Sequence, residues 1–309
     1  MQELQVIVNP QAGRGYAARI LDQLASELRG VGVPCTFHLT HYPGHAIELA
    51  QQLVESGHHR LASVGGDGTA HEVVNGIMSA RNGSAAVEMA CIPAGSGNDF
   101  ATMNGLSHDL AETCRIIAQG RSRLVDLGMI TFDGETTRYF DNTVGIGFDG
   151  LVVHETRRAR RARGLALYIP AVLKTIFVTL QTPQSTINID GEIIELAPMM
   201  LTTCNGPREG GGFVLAPHAQ FDDGQFDLVI ARRMSRLKML ALVPRFLKGT
   251  HLSHRDISIR SMREMSVTSD DPLYAHVDGE ILAEQAYRID IRIVPSSLRL
   301  IAPTPLAAL

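Results

Sequence analysis

The run Ser63-Val64-Gly65-Gly66-Asp67-Gly68-Thr69 sets a carboxylate inside a glycine-rich turn. Gly65, Gly66 and Gly68 let the backbone take left-handed torsions and come close to a ligand, so N–H groups and the positive end of a following helix can face an anion. A carboxylate at such a turn repels phosphate unless a divalent cation or a hydrogen-bonded network lies between them. Asp67 among these glycines therefore points to a metal–nucleotide complex. A short buried strand, Leu61 to Val64, leads into the turn, and Thr69 with Glu72 reads as a T-x-x-E capping box that starts a helix at Thr69. A plain turn with a helix cap is the simpler reading, but five permissive or capping residues in seven exceed what a turn needs.

Two more strand ends carry the same chemistry. Ile92-Pro93-Ala94-Gly95-Ser96-Gly97-Asn98-Asp99-Phe100 follows a strand that Pro93 stops, and Asn98 or Asp99 can cap the segment beginning at Phe100. The apolar strand Leu4 to Val8 runs into Asn9-Pro10-Gln11-Ala12-Gly13-Arg14-Gly15 before an amphipathic helix. Open parallel sheets bind ligands at the carboxyl ends of their strands, so three such turns in one α/β layer would converge on a single crevice. No G-x-x-x-x-G-K-[ST] occurs, which excludes a P-loop for the phosphates.

These residues resemble a known family. Asn9-Pro10 with Ala12-Gly13, Gly65 to Thr69 with Glu72-Val73 and Asn75-Gly76, and Pro93, Gly95 and Asn98 to Ala101 are similar, in order and spacing, to the catalytic domain of diacylglycerol kinases, sphingosine kinases and bacterial lipid kinases. The similarity continues through Asn142 to Phe148, Asn205-Gly206, Gly210 to Phe213, Pro217, Asp222 to Gly224 and Asp278-Gly279-Glu280, and so covers essentially the whole chain. Ser96 stands where the family usually has threonine; both offer a hydroxyl.

The resemblance implies an ATP- and Mg²⁺-dependent kinase acting on a lipid hydroxyl. Nucleotide contacts fall to Asn9, Gly13, Gly65, Gly66, Asp67, Gly68, Thr69, Gly95, Ser96, Asn98, Asp99 and Asp126, with Asp67 on the metal. It makes Asp278 the general base, with Glu280 close by. It also places a second, structural metal on Asp223 with the backbone carbonyls of Gln220 and Gln225, although a loop aspartate without metal fits the residues too. Diacylglycerol leads as substrate, giving phosphatidic acid, and a sphingoid base or other long-chain alcohol comes next. An NAD-kinase-like enzyme shares the Gly-Gly-Asp-Gly turn, but the Asn98-Asp99-Phe100 loop and an arginine run stand against it. A lipid-binding module that has lost catalysis is the last alternative, and Asp67, Asp99, Asp126, Asp278 and Glu280 oppose it.

The elements that must position these residues change character near residue 125. Before it, helical periodicity in Ile20, Leu21, Leu24 and Leu28, in Ile47, Leu49 and Leu53, and in Val73, Val74 and Ile77 alternates with strands. After it, strands are expected at Tyr139–Val144, Thr186–Ile189, Met199–Cys204, Phe226–Ile230, Ile257–Ile259, Met265–Thr268 and Ile289–Val294, with hairpin turns at Asp133-Gly134 and Asp190-Gly191. The expected fold class is α/β plus β: an α/β nucleotide-binding domain with a parallel sheet over 1–125, a mainly antiparallel β-sandwich-like domain over 126–295, and a terminal strand and tail over 296–309 that returns to the first domain. The resemblance puts the active site in the cleft between the domains.

Composition excludes other classes. A 309-residue chain with 45% hydrophobic and 19% charged residues is globular, and a formal charge of −4 argues against nucleic acid as a bulk partner. Cys35, Cys91, Cys114 and Cys204 show no C-x-x-C spacing, and the twelve histidines show no regular ligand spacing. Met1-Gln2-Glu3 leads straight into a strand, so a cytoplasmic location is expected. Five arginines between Arg157 and Arg163 precede an apolar stretch, Gly164 to Leu180, that Pro170 and Lys174 interrupt. That pattern suits a peripheral contact with an anionic membrane as well as a core helix behind a solvated turn, and is too short and mixed to span a bilayer. A homodimer is compatible with the sequence.

Overall fold

The computed structural model describes residues 2–81, 87–156, 165–283 and 285–303. Contacts divide the chain into two units, Met1–Val125 with Ser296–Leu309, and Asp126–Pro295.

The first unit alternates strand and helix: β1 (Leu4–Val8), α1 (Ala12–Arg19), α2 (Leu21–Gly30), β2 (Cys35–Leu39), α3 (His45–Glu55), β3 (Arg60–Gly65), α4 (Asp67–Ser79), β4 (Glu88–Pro93), α5 (Asp99–Met103) and α6 (Leu110–Gln119). The strands lie parallel in the order β2-β1-β3-β4. Every residue of β1 and β3 is buried, as expected of central parallel strands covered on both faces. The covering helices turn inward the periodic residues of their sequences, Leu24 and Leu28 on α2, Leu53 on α3, and Val73, Val74 and Ile77 on α4. Arg299 and Leu300 pair in parallel with Glu88 and Met89, which adds the end of the chain to this sheet.

The second unit holds β5 (Ser122–Phe132, entering from the first), β6 (Thr136–Phe140), β7 (Thr143–Gly147), α7 (Phe148–Thr156), α8 (Leu165–Lys174), β8 (Ser185–Ile189), β9 (Glu192–Leu196) and β10 (Pro198–Cys204). It continues with β11 (Arg208–Glu209), β12 (Phe213–Val214), β13 (Phe226–Arg232), α9 (Arg236–Lys248), β14 (Ile257–Met262), β15 (Glu264–Leu273), β16 (Ala275–Val277) and β17 (Ala286–Ile301). One antiparallel sheet runs β14-β13-β10-β7-β16; another joins β17, β15, β8 and β9, with β5 and β6 attached through β17. Ile130, Phe140, Ile187, Leu201, Leu228, Val267 and Ile289 from both sheets make one core. Neighbouring residues on β10 and β13, Met200, Val229 and Ala231, point the other way and pack with Val152, Val172, Ile176, Met239 and Leu242 of the helical layer.

The Asp133-Gly134 and Asp190-Gly191 turns both form, with positive φ at all four residues. Two sequence expectations need correction. Tyr139–Val144 is not one strand: β6 ends at Phe140 and β7 starts at Thr143, because Asp141 and Asn142 turn their N–H groups to a side chain from elsewhere, that of Asp278. The Thr69–Glu72 capping box is absent. Helix α4 starts at Asp67, and Glu72 instead accepts the N–H groups of Gly44 at 2.9 Å and Ala46 at 3.1 Å, closing the amino end of α3.

Gly128 on β5 lies under the Phe140 ring, where a Cβ would collide, and Phe140 in turn stacks on Phe226 at 5.4 Å. Gly128→Ala is expected to destabilise the second unit by about 1–3 kcal/mol through overpacking. A denaturant melt checks this; an unchanged midpoint would show that the ring can move aside.

Candidate active site

The three glycine turns of the first unit meet backbone to backbone. Gly66 and Gly95 approach so closely that a Cβ on Gly95 would strike the Gly66 backbone, and a Cβ on Gly13 would strike the Ala94 carbonyl. Hydrogen bonds lock the approach: Asn9 N–H to the Val64 carbonyl at 3.0 Å, Ala94 N–H to the Gly65 carbonyl at 2.7 Å, and Asn9 Nδ2 to Thr69 Oγ1 at 3.3 Å. Asn98, at φ 58°, folds its amide back so that Oδ1 accepts from Gly95 N–H and Nδ2 donates to the Gly95 carbonyl. The expected cap of α5 is thus supplied from outside, by Asp67 Oδ1, which accepts the Phe100 N–H at 3.2 Å. Gly13, Arg14 and Gly15 all take positive φ, which interrupts the start of α1 and leaves an open turn. Asn9, Gly13, Gly65, Gly66, Asp67, Gly68, Thr69, Gly95, Ser96, Asn98 and Asp99 therefore occupy one carboxyl edge of one parallel sheet.

Asp67 and Asp99 share a place at that edge. A Cβ on Gly97 would lie 2.7 Å from Asp67 Oδ2 and 3.9 Å from Asp99 Oδ2, so both carboxylates flank the same glycine. Paired carboxylate oxygens beside backbone N–H groups suit a hard cation such as Mg²⁺ with phosphate oxygens.

In the second unit Asp126 and Asp278 join one hydrogen-bonded network. Asp278 and Gly279, at φ 49° and 77°, form a tight turn closed by Val277 and Glu280. The Asp278 carboxylate accepts three backbone N–H groups, Asp141 at 3.0 Å on Oδ2, and Asn142 at 3.0 Å and Thr143 at 2.8 Å on Oδ1. Asn205 Nδ2 donates to the carbonyls of Asp126 and Asp141, and Asp126 Oδ2 accepts the Gly224 N–H at 2.7 Å. Asp126 is thereby tied to the loop that carries Gln220, Asp223 and Gln225, in which Asp223 Oδ1 accepts the Gln225 N–H.

A further group escaped the sequence reading. Asp149 on α7, Glu209 on β11 and His276 on β16 come together. His276 lies directly across from Gly145, which has no side chain to obstruct the ring or Asp149. Its Nδ1 accepts the Gly279 N–H at 3.3 Å, which leaves the proton on Nε2, 3.1 Å from Glu209 Oε1. Burial holds His276 below its ordinary range against the pull of Asp149 and Asp278, so the ring is neutral near pH 7. Burial, then Glu209, pushes the Asp149 carboxyl up to about 6, against His276 and a hydrogen bond from Thr202. Asp149 and Glu209 border a pocket whose other walls include Phe148, Val152, Tyr168, Phe213, Val243 and Phe246. No sequence signal marks this trio, since its members lie on three separate elements outside any motif.

Sequence comparison gives the family of both halves of the chain. Residues 3–130 match the model of the diacylglycerol kinase catalytic domain, and residues 142–302 match the YegS C-terminal NAD kinase beta sandwich-like domain. The chain belongs to the diacylglycerol kinase family. Among relatives, YtlR of Bacillus subtilis, which carries a lipid-kinase name, is 30% identical across 95% of this chain and 97% of its own. A diacylglycerol kinase of Mycobacterium tuberculosis is 27% identical over 97% and 95%. A solved diacylglycerol kinase structure from Bacillus anthracis, 21% identical, superposes with a TM-score of 0.74 over 98% of this chain and 97% of its own, which shows the shared fold. Family membership makes this chain a kinase that phosphorylates an alcohol and uses ATP.

The Asp149 shift predicts a pH dependence of stability. The folded state keeps a proton that the unfolded chain releases near its ordinary carboxylate range. This contribution is therefore full below that range and is lost as pH rises through about 6. Asp149→Asn removes the loss, so the melting temperature of the variant should exceed that of the parent by a few degrees at pH 8 and by much less at pH 4. A constant difference across that range would contradict the buried, proton-holding carboxyl.

Proposed function

We propose that this protein transfers the γ-phosphoryl group of ATP to a primary hydroxyl of a membrane lipid, with diacylglycerol the leading acceptor and phosphatidic acid the product. The observation that carries the lipid acceptor is the pocket of the second unit, apolar on most of its wall and bordered by two carboxylates, which suits a hydrocarbon chain with a hydroxyl end. The glycine edge of the first unit supports ATP as donor, through backbone N–H groups suited to phosphate oxygens. Asp67 and Asp99 would hold Mg²⁺, which when bound neutralises phosphate charge. Asp126 would order the Gly224 loop, and Asp223 with the carbonyls of Gln220 and Gln225 would hold the second metal.

The base assigned is Asp278, with Glu280 beside it. In the transfer the lipid O–H bond breaks and its proton passes to the carboxylate, an O–P bond forms, and the bridging P–O bond to the β-phosphate breaks to release ADP. The backbone N–H groups of residues 141–143 hold the Asp278 carboxylate in one orientation, which supports its assignment as the group that takes the proton.

Membrane docking is proposed at the surface of α8 and the π-helical turn after it. Ile169, Leu173, Phe177 and Val178 are exposed there, and Leu237 on α9 is 77% exposed, while Ala171, Val172 and Ile176 face the core. The inward face is that of a core helix, and the exposed apolar residues support the membrane reading. No helix among the described residues is long and apolar enough to cross a membrane, and the arginine run Arg157 to Arg163 lies outside the described residues. A cytoplasmic enzyme working at an anionic membrane surface follows from this proposal.

Labelled ATP, Mg²⁺ and a panel of lipids in mixed micelles test the function, with diacylglycerol expected to be labelled. Label in a sphingoid base alone would move the acceptor, and label in NAD alone would overturn the lipid assignment. Asp278→Asn should lower turnover about 10²- to 10⁴-fold with ATP affinity nearly unchanged. One N–H then faces an amide NH₂, so activity is read per folded molecule beside a thermal melt; near-normal turnover would sink the role of Asp278 as base.

A further inference from the structure

Beside the phosphate turns the first unit has a cavity of about 400 Å³. Its walls include Asn9 and Thr69, the pair that ties the first turn to the second, and Thr40, Tyr42 and Glu72. A space of this size next to phosphate-facing turns has room for a nucleoside. On its wall the Tyr42 ring is 50% exposed and stacked on His45, with centroids 4.5 Å apart and planes at 21°. His41 stacks on His45 as well, at 5.4 Å.

These rings are held before any ligand arrives. The Tyr42 hydroxyl donates to Glu48 Oε2 at 2.6 Å, and the His41 backbone N–H donates to His45 Nδ1 at 3.2 Å. Glu72 pins the backbone of Gly44 and Ala46 from α4, the helix whose first turn carries Asp67. One helix therefore fixes both the phosphate turn and the loop that presents the aromatic rings. A solvent-exposed aromatic pinned in one orientation has already lost the freedom that a ligand would otherwise have to remove.

We propose that Tyr42, backed by His45, is the platform on which the purine base of the nucleotide stacks. This inference rests on the ATP-dependent reading above. Stacking uses the π-face common to all bases rather than a hydrogen-bonding edge, so the platform contributes affinity for ATP and GTP alike. The hydroxyl of Tyr42 acts only to hold the ring, and His45 only to support it.

Titration calorimetry on the full chain with MgATP, MgGTP and magnesium tripolyphosphate, which lacks a base, separates the roles. Tyr42→Ala should weaken both nucleotides about ten-fold and leave tripolyphosphate unchanged, while Tyr42→Phe, which keeps the ring, should stay within about two-fold of the parent. Unchanged nucleotide affinity in Tyr42→Ala would overturn the platform. So would an equal loss for MgATP and tripolyphosphate at an unaltered melting temperature, since the side chain would then be supporting the phosphate turns. A parent protein that binds none of the three probes would overturn the nucleotide assignment itself, and the platform with it.

Discussion

Contact between glycine backbones at the carboxyl edge of the parallel sheet is the constraint on which the first unit depends. A side chain on Gly95 would strike the Gly66 backbone, and one on Gly13 would strike the Ala94 carbonyl. With side chains excluded, the turns after β1, β3 and β4 share hydrogen bonds directly, through Ala94 to Gly65, Asn9 to Val64 and the folded amide of Asn98. The same contact puts Asp67 and Asp99 around Gly97, and lets Asp67 cap α5. Loosening one turn would therefore disturb the carboxylates and the N–H groups together.

The second unit orders its polar residues by another means. Its carboxylates are held by backbone N–H donors from neighbouring strand ends: Asp278 by residues 141–143, Asp126 by Gly224. Asn205 joins the two arrangements through the carbonyls of Asp126 and Asp141. Around them the helical layer keeps apolar side chains against the sheet and leaves a pocket with Asp149 and Glu209 at its border. The shift of Asp149 is the physical record of that placement, since burial is its first cause.

Residue type made the glycine turns legible in the sequence, because few uses other than tight turns and close approach call for glycine at such density. Asp133-Gly134 and Asp190-Gly191 were legible for the same reason, each dipeptide being suited to the positive φ it adopts. The local capping signal at Thr69 and Glu72 misled because a tertiary partner outcompeted it: the bare N–H groups at the start of α3 took the Glu72 carboxylate. Tyr139–Val144 looked continuous because β-propensity does not register that a distant aspartate captures the N–H groups of Asp141 and Asn142. Asp149, Glu209, His276 and the Tyr42 stack were invisible since each depends on side chains that only the fold brings together. Helix α9 was missed where strands dominated the pattern, although Leu237, its most exposed apolar residue, belongs to no strand.

The most direct test of the proposal that this shared edge holds phosphate is calorimetric titration of MgATP into the parent protein and into Gly95→Ala. The added methyl would meet the Gly66 backbone and force the second and third turns apart, while the strands and covering helices of the unit lie beneath them. The shared edge predicts that the parent binds MgATP and that Gly95→Ala loses most of this affinity while still melting cooperatively. MgATP binding by Gly95→Ala equal to that of the parent would contradict it, because the turns would then not need to touch in order to hold phosphate.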